Sequence, residues 1–256
     1  MSALSDVLFD YAVVPVIVLG SPDQAEPLAE ALIAGGLPVA EVTFRSSAAL
    51  EGIRRMAHAY PDLLVGAGTV STTAQAAEAV AAGAKFVVTP GFNPDVVDFC
   101  IAQSIPIFPG ISGTGEIEAA ISRGLDVVKF FPAEALGGTD MLKALSGPYP
   151  NLKFMPTGGI SLKNLHDYLA LPQVVACGGS WLVSKEALAA GDYARVTRTV
   201  SDTMRVVYGL GVTGDAIEVA PPFPARTRAY LDRAGVPYKE RDGGIAIEGK
   251  TVILRQ

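Results

Sequence analysis

Two hundred and fifty-six residues, half of them apolar and 18% charged, describe a globular chain long enough for one large α/β barrel or two ordinary domains, and exclude disorder as its main state. Lys and Arg number 20 against 26 Asp and Glu, a net charge of -6 that leaves no basic footprint for a nucleic-acid backbone. No apolar run approaches the ~20 residues of a membrane helix, and acidic Asp6 and Asp10 stand where a secretory leader would be basic, so a cytoplasmic protein is expected.

Short Val/Ile/Phe-rich runs bounded by Gly and Pro alternate along the chain with Ala-rich segments, the rhythm of repeated βα units. In chain order the expected strands are Val13 to Leu19, Val39 to Phe44, Leu64 to Ala67, Phe86 to Thr89, Ile105 to Pro109, Val127 to Phe130, Lys153 to Pro156 and Val174 to Cys177. The helical patterns between them are Pro22 to Ala34, Ala48 to Ala59, Thr72 to Ala82, Pro94 to Gln103, Gly115 to Arg123, Asp140 to Leu145 and Leu162 to Leu169, with a last helix from Tyr193 to Tyr208. Near-continuous apolar strands imply burial on both faces. Eight such repeats favour a (β/α)8 TIM barrel over a doubly wound sheet. A dinucleotide fingerprint is not completed either, since Ser71 stands where the third glycine after Gly66 and Gly68 would be.

Residues 1–210 are therefore expected to form the barrel. Beyond them Gly211, Gly214, Pro221, Pro222 and Pro224 read as a linker. Ala225 to Ala234 then reads as a short helix ending at Gly235. Two strands broken at Asp242-Gly243-Gly244 and Glu248-Gly249-Lys250 complete a small αββ appendage over 211–256. An extension of that size, without disulfides or metal ligands, is marginal as an independent fold and should pack on the barrel or on a neighbouring subunit.

Barrel enzymes carry their chemistry at the C-terminal ends of the strands. At the second strand, period-two alternation puts Glu41, Thr43 and Arg45 on one face: Glu41 can shuttle protons and Arg45 can clamp a carboxylate, or the two can simply neutralise each other. Thr69 follows the third strand as a hydroxyl at the mouth. Of the eight lysines, Lys129 alone is enclosed by apolar residues on both sides within a strand pattern, Val127-Val128-Lys129-Phe130-Phe131. Desolvation disfavours an ammonium relative to the neutral amine, and a neutral amine attacks carbonyls; a structural lysine in an internal ion pair is the alternative. Thr157-Gly158-Gly159 and Gly178-Gly179-Ser180 follow strands seven and eight, where barrel phosphate sites recur, although glycine also serves tight βα turns.

No metal site is legible: His58 and His166 fall on helices at solvent-type positions. The only cysteines, Cys100 and Cys177, lie far apart in apolar stretches and make neither a disulfide framework nor a zinc spacing, which fits a reducing compartment. Cys177 reads as a small hydrophobe in the core, and Trp181 as a residue packed beside the mouth.

Glu41-Val42-Thr43-Phe44-Arg45, Gly66-Ala67-Gly68-Thr69, Pro90-Gly91, Pro109-Gly110-Ile111-Ser112, Lys129-Phe130-Phe131-Pro132-Ala133-Glu134, Pro156-Thr157-Gly158-Gly159-Ile160 and Gly178-Gly179-Ser180-Trp181, in that order at the expected strand ends, closely resemble the 2-keto-3-deoxy-6-phosphogluconate (KDPG) aldolase family, which also includes 4-hydroxy-2-oxoglutarate (KHG) aldolase. The resemblance covers about residues 10 to 208. It implies a metal-independent class I aldolase without cofactor, usually a homotrimer, that releases pyruvate and glyceraldehyde 3-phosphate. By the same resemblance Lys129 is the Schiff-base lysine and Glu41 the proton shuttle. Arg45 and Thr69 would hold the pyruvyl carboxylate with Thr157 near the reacting carbon, Pro90 and Phe131 would line the pocket, and Gly158, Gly159, Gly179 and Ser180 would take the phosphate. Within the class, KHG or the galactonate epimer of KDPG is the alternative substrate. From other classes, a phosphosugar isomerase or epimerase and a noncatalytic phosphate-ligand sensor share the anion loops. The appendage lies outside the family's usual chain and carries no catalytic motif.

Overall fold

The computed structural model describes residues 3–208, 210–213, 216–219, 224–233, 238–241, 244–247 and 250–254. A helix absent from the sequence reading, α1 (Ala3–Tyr11), precedes the first strand, β1 (Val13–Ile17). The βα units then run α2 (Ala25–Ala34), β2 (Val39–Thr43), α3 (Ala49–Ala59), β3 (Leu64–Gly68), α4 (Thr73–Ala81), β4 (Phe86–Val88) and α5 (Pro94–Ala102). Pro109 splits the fifth barrel strand into β5 (Ile107–Phe108) and β6 (Gly110–Ile111), because proline has no N–H to give a ladder. There follow α6 (Thr114–Ile121), β7 (Val127–Phe130), α7 (Gly138–Ser146), β8 (Lys153–Phe154), α8 (Leu165–Leu169), β9 (Cys177–Gly179), α9 (Lys185–Ala190) and α10 (Tyr193–Val207).

All the barrel pairings are parallel. Six strands run in the order β5-β4-β3-β2-β1-β9 and three in the order β6-β7-β8. Bridges from Phe154 to Val174 and from Thr157 to Gly178 close the remaining gap, so the expected (β/α)8 barrel is formed. Its strands are buried on both faces: Val14, Val42, Val65, Val87, Val128 and Phe154 are fully buried, each side chain contributing on the order of 2 kcal/mol of burial. Cys177 packs there as expected, and burial pushes its thiol up.

The eighth strand begins three residues later than Val174, the expected start. Its ladder to β1 starts only at Cys177, paired with Val13, since at Ala12 the chain leaves α1 through a positive φ of 61° and has no strand to offer Val174 and Val175. Arg226 supplies the missing donors. Its Nη2 donates to Val174 O at 3.1 Å and its Nη1 to Val175 O at 3.2 Å and to Phe9 O, while its Cζ lies 4.1 Å from the centroid of the Phe9 ring.

Arg226 belongs to the appendage, where the structure corrects the sequence reading. The linker expected over 211–224 contains two paired strands, β10 (Leu210–Thr213) and β11 (Ala216–Val219), followed by α11 (Pro224–Arg233) and β12 (Lys239–Arg241), β13 (Gly244–Ile247) and β14 (Lys250–Leu254). The αββ expectation thus becomes ββαβββ, a five-stranded sheet ordered β10-β11-β14-β13-β12. The first two strands escape a local reading because β11 pairs in parallel with β14, residues from opposite ends of the appendage. The expected features at 214, 221–222, 234–235, 242–243 and 248–249 lie outside the described residues.

With 3% of its surface exposed, Arg226 faces carbonyls rather than a carboxylate, and burial pushes its guanidinium down to about 10. Arg226→Met keeps the volume and removes every donor, so the Val174, Val175 and Phe9 carbonyls lose their partner, at a cost of about 3 kcal/mol. A lowered urea midpoint is expected; an unchanged midpoint would show that the appendage does not hold the barrel seam.

Candidate active site

Glu41 projects from the middle of β2 into the barrel, and Lys129 from β7 meets it across the interior. Lys129 Nζ lies 3.5 Å from Glu41 Oε1, with the residues 4% and 0% exposed. Two charges so deeply buried are tolerable only as a pair. The Oε2 atom of Glu41 is buried with no hydrogen-bond partner among the described residues. An orphaned acceptor of that kind costs on the order of 2 kcal/mol, and it is the atom free to receive a proton or a hydroxyl from a bound molecule. The ring of Phe131 flanks the amine, its centroid 5.2 Å from Nζ.

Backbone register sets this geometry. In β3, Gly68 pairs with Thr43 and Gly66 with Glu41. A Cβ on Gly68 would fall inside the van der Waals shell of the Glu41 carboxylate, and one on Gly66 inside the Phe86 ring. The two glycines therefore make the room that the carboxylate and the ring occupy. Gly68→Ala is expected to push the carboxylate off Lys129 and lower kcat at least about tenfold. Steady-state kinetics check this, and an unimpaired variant would refute the packing constraint. Lys129 is held from its own strand, where its N–H donates to Pro109 O at 2.9 Å, and Thr43 fixes β2 on β1 through a 2.7 Å bond to Ile17 O.

The other expected positions lie at or just past the C-terminal ends of the barrel strands. Thr157, beyond the end of β8, is buried, and its side chain fills the space above Gly178 that a Cβ would need. Gly158 and Gly159 adopt φ values of 101° and 80°, a left-handed turn that favours glycine; Gly158 lies against Phe131, and Gly159 against Glu134. Gly179 leaves room for the Trp181 ring, whose Nε1 donates to Thr203 Oγ1 at 3.3 Å. Thr69 holds a φ of 56°, at the exit of β3. Pro90 presents its carbonyl to Gly110 at the end of the fourth unit and is exposed, as is Ser180. Arg45 is exposed and makes no ion pair among the described residues, so Glu41 is neutralised by Lys129 and not by Arg45. His58 and His166 are exposed on α3 and α8.

One supporting contact has no signal in the sequence. The Tyr168 hydroxyl of α8 donates to Glu134 in the turn after β7, and burial, with that carboxylate beside it, pushes the phenol up. The Glu134 backbone N–H donates to Gly158 O at 3.1 Å, so this pair braces the glycine turn from behind. Only the fold brings α8 to that turn.

A buried amine beside a buried carboxylate whose second oxygen has no hydrogen-bond partner among the described residues is equipped to form and break an imine with a carbonyl compound. The comparisons agree. The family model for KDPG and KHG aldolase matches residues 4–199. The chain is 50% identical over 207 residues to the 2-dehydro-3-deoxy-phosphogluconate aldolase of Treponema pallidum, covering 81% of this chain and 99% of that protein. It is 44% identical over 203 residues to the KHG/KDPG aldolase of Escherichia coli K12, covering 79% and 95%. Among solved structures, the KDPG aldolase of Legionella pneumophila, with pyruvate captured at low pH as a covalent carbinolamine intermediate, superposes with a TM-score of 0.75 at 42% identity, covering 77% of this chain and 97% of that one.

Proposed function

The chain belongs to the KDPG and KHG aldolase family, and from that premise we propose that it is a class I aldolase cleaving 2-keto-3-deoxy-6-phosphogluconate to pyruvate and glyceraldehyde 3-phosphate. The observation that carries this reading is the buried pair of Lys129 and Glu41, 3.5 Å apart with Glu41 Oε2 unpartnered.

In this reading Glu41 takes a proton from the Lys129 ammonium, and the neutral amine adds to the C2 ketone. The resulting carbinolamine loses water when Glu41 returns the proton to its hydroxyl, leaving an iminium. Glu41 then takes the proton of the C4 hydroxyl. The C3–C4 electron pair flows into the iminium, so the aldehyde leaves and an enamine remains. Protonation of C3 and hydrolysis of the imine release pyruvate and restore Lys129. No metal or cofactor enters the sequence. Arg45, with its planar fork of donors, and Thr69 take the carboxylate, and Thr157 stands near the reacting carbon. Phe131 and Pro90 wall the pocket. Gly158, Gly159, Gly179 and Ser180 offer amides and a hydroxyl to the phosphate. Homotrimeric assembly and a cytoplasmic location belong to the same reading, supported by family membership. So does the division into a catalytic barrel, 1–210, and an appendage, 211–256, without a chemical part: α11 meets the start of the eighth strand, the end of the barrel opposite Lys129.

The test is pyruvate release from KDPG and from 4-hydroxy-2-oxoglutarate by the wild type and by Ser180→Asp. A carboxylate at the phosphate position repels the phosphorylated substrate, so the variant's KM should rise at least about tenfold for KDPG and far less for the unphosphorylated acid. Equal losses would make the smaller hydroxy-keto acid the substrate.

A further inference from the structure

We propose that Lys185 determines specificity at the mouth, receiving the distal phosphate of the substrate while Arg45 keeps the carboxylate; this rests on the aldolase reading above. The ends of β1 and β2 and the chain after β9 enclose a cavity of about 270 Å3, lined by Val16, Val18, Arg45, Ser180, Lys185 and Glu186 among others. It joins two positions already placed at the substrate's two charged ends, Arg45 and Ser180, and adds a lysine with no part in the scheme so far.

Two cations, Arg45 and Lys185, share this cavity with one carboxylate, Glu186. Neither Arg45 nor Lys185 makes an ion pair among the described residues. Glu186, the one carboxylate in the wall, is held below the usual carboxylate range first by a bond from its own backbone N–H and then by the Ser184 hydroxyl. Its charge is therefore drawn mainly onto its own turn, with Arg195 and then Lys185 contributing less. Two exposed cations and the Ser180 hydroxyl therefore outweigh one carboxylate on the wall of one space. A substrate with a carboxylate at one end and a phosphate at the other matches that set. The planar fork of an arginine suits the carboxylate, and the compact, flexible ammonium of a lysine suits a phosphate that carries nearly two charges. Lys185 is exposed, so its contribution lies in binding and in drawing in the more highly charged substrate, not in bond cleavage.

The experiment measures kcat and KM for KDPG and for 4-hydroxy-2-oxoglutarate with the wild type, Lys185→Ala and Lys185→Arg, each checked for imine formation with pyruvate by borohydride trapping. Lys185→Ala should raise the KM for KDPG about tenfold with kcat within about twofold of the wild type. The rise for the unphosphorylated acid should be markedly smaller, and Lys185→Arg should recover most of the loss. Equal KM increases for both substrates, no increase for KDPG, or a loss confined to kcat would overturn the assignment of Lys185 while leaving the aldolase intact. A wild type that traps no pyruvate would overturn the aldolase reading, and this inference with it.

Discussion

Lys129→Ala is expected to lose at least roughly 10^4-fold in kcat, the largest effect of any single substitution in the barrel, because the bond-making atom itself is removed. Borohydride reduction in the presence of pyruvate should leave one stable adduct on the wild-type chain, mapping to Lys129, and none on the variant. Substantial cleavage by the variant, or an adduct elsewhere, would rule out the imine at this residue. Stability has to be followed in parallel. Glu41 is fully buried, and stripping it of its partner leaves an uncompensated charge in the core, costing on the order of 3 to 5 kcal/mol. The double variant Glu41→Met with Lys129→Met removes both charges and keeps the volume, so it should fold about as well as the wild type and remain inactive. A fully folded, inactive double variant separates loss of chemistry from loss of structure.

The second large effect falls on Glu41. Glu41→Gln preserves the shape that fits over Gly68 and can still accept a bond from Nζ through its amide oxygen, yet it cannot carry a proton between steps. A kcat loss of roughly 10^2 to 10^4 is expected, the usual worth of a positioned acid–base group. Unlike the lysine variant, this one should still form a trappable adduct with pyruvate, more slowly, because the nucleophile remains. Unchanged turnover would remove Glu41 from the proton path. Loss of trapping as complete as that of Lys129→Ala would make its role chiefly the placement of the amine.

The two ends of the barrel divide the tasks. At the mouth, charged groups are left partly unsatisfied, as the bare Oε2 of Glu41 shows, and a bound substrate is the natural partner for them. At the opposite end Arg226 does the reverse: it satisfies carbonyls that β1 cannot reach. The family model ends at residue 199, so Arg226 lies outside the residues it matches. Because it acts at the far end of the strands, Arg226→Met should lower stability with little change in KM.

The sequence alone determined where the strands lie and which lysine is exceptional. Those are local properties: an apolar run buried on both faces, a glycine turn after it, a charged residue where no solvent can reach. Val127–Phe130 matches its expected bounds in full, and the barrel's repeat count follows from the same rhythm. What a one-dimensional pattern cannot carry is who stands opposite whom. Period-two alternation placed Glu41 and Arg45 on one face and left them free to pair. Barrel closure instead brought Glu41 to Lys129, 88 residues away, and left Arg45 open at the mouth. The same limit hid β10 and β11, whose sheet is completed only by β14, and hid the guanidinium of Arg226, which reaches Phe9 across 217 residues. Burial of one face is written residue by residue; the partner across the interior is fixed only when strands of fixed register close on one another and each unpaired donor or acceptor must find what the closure leaves in reach.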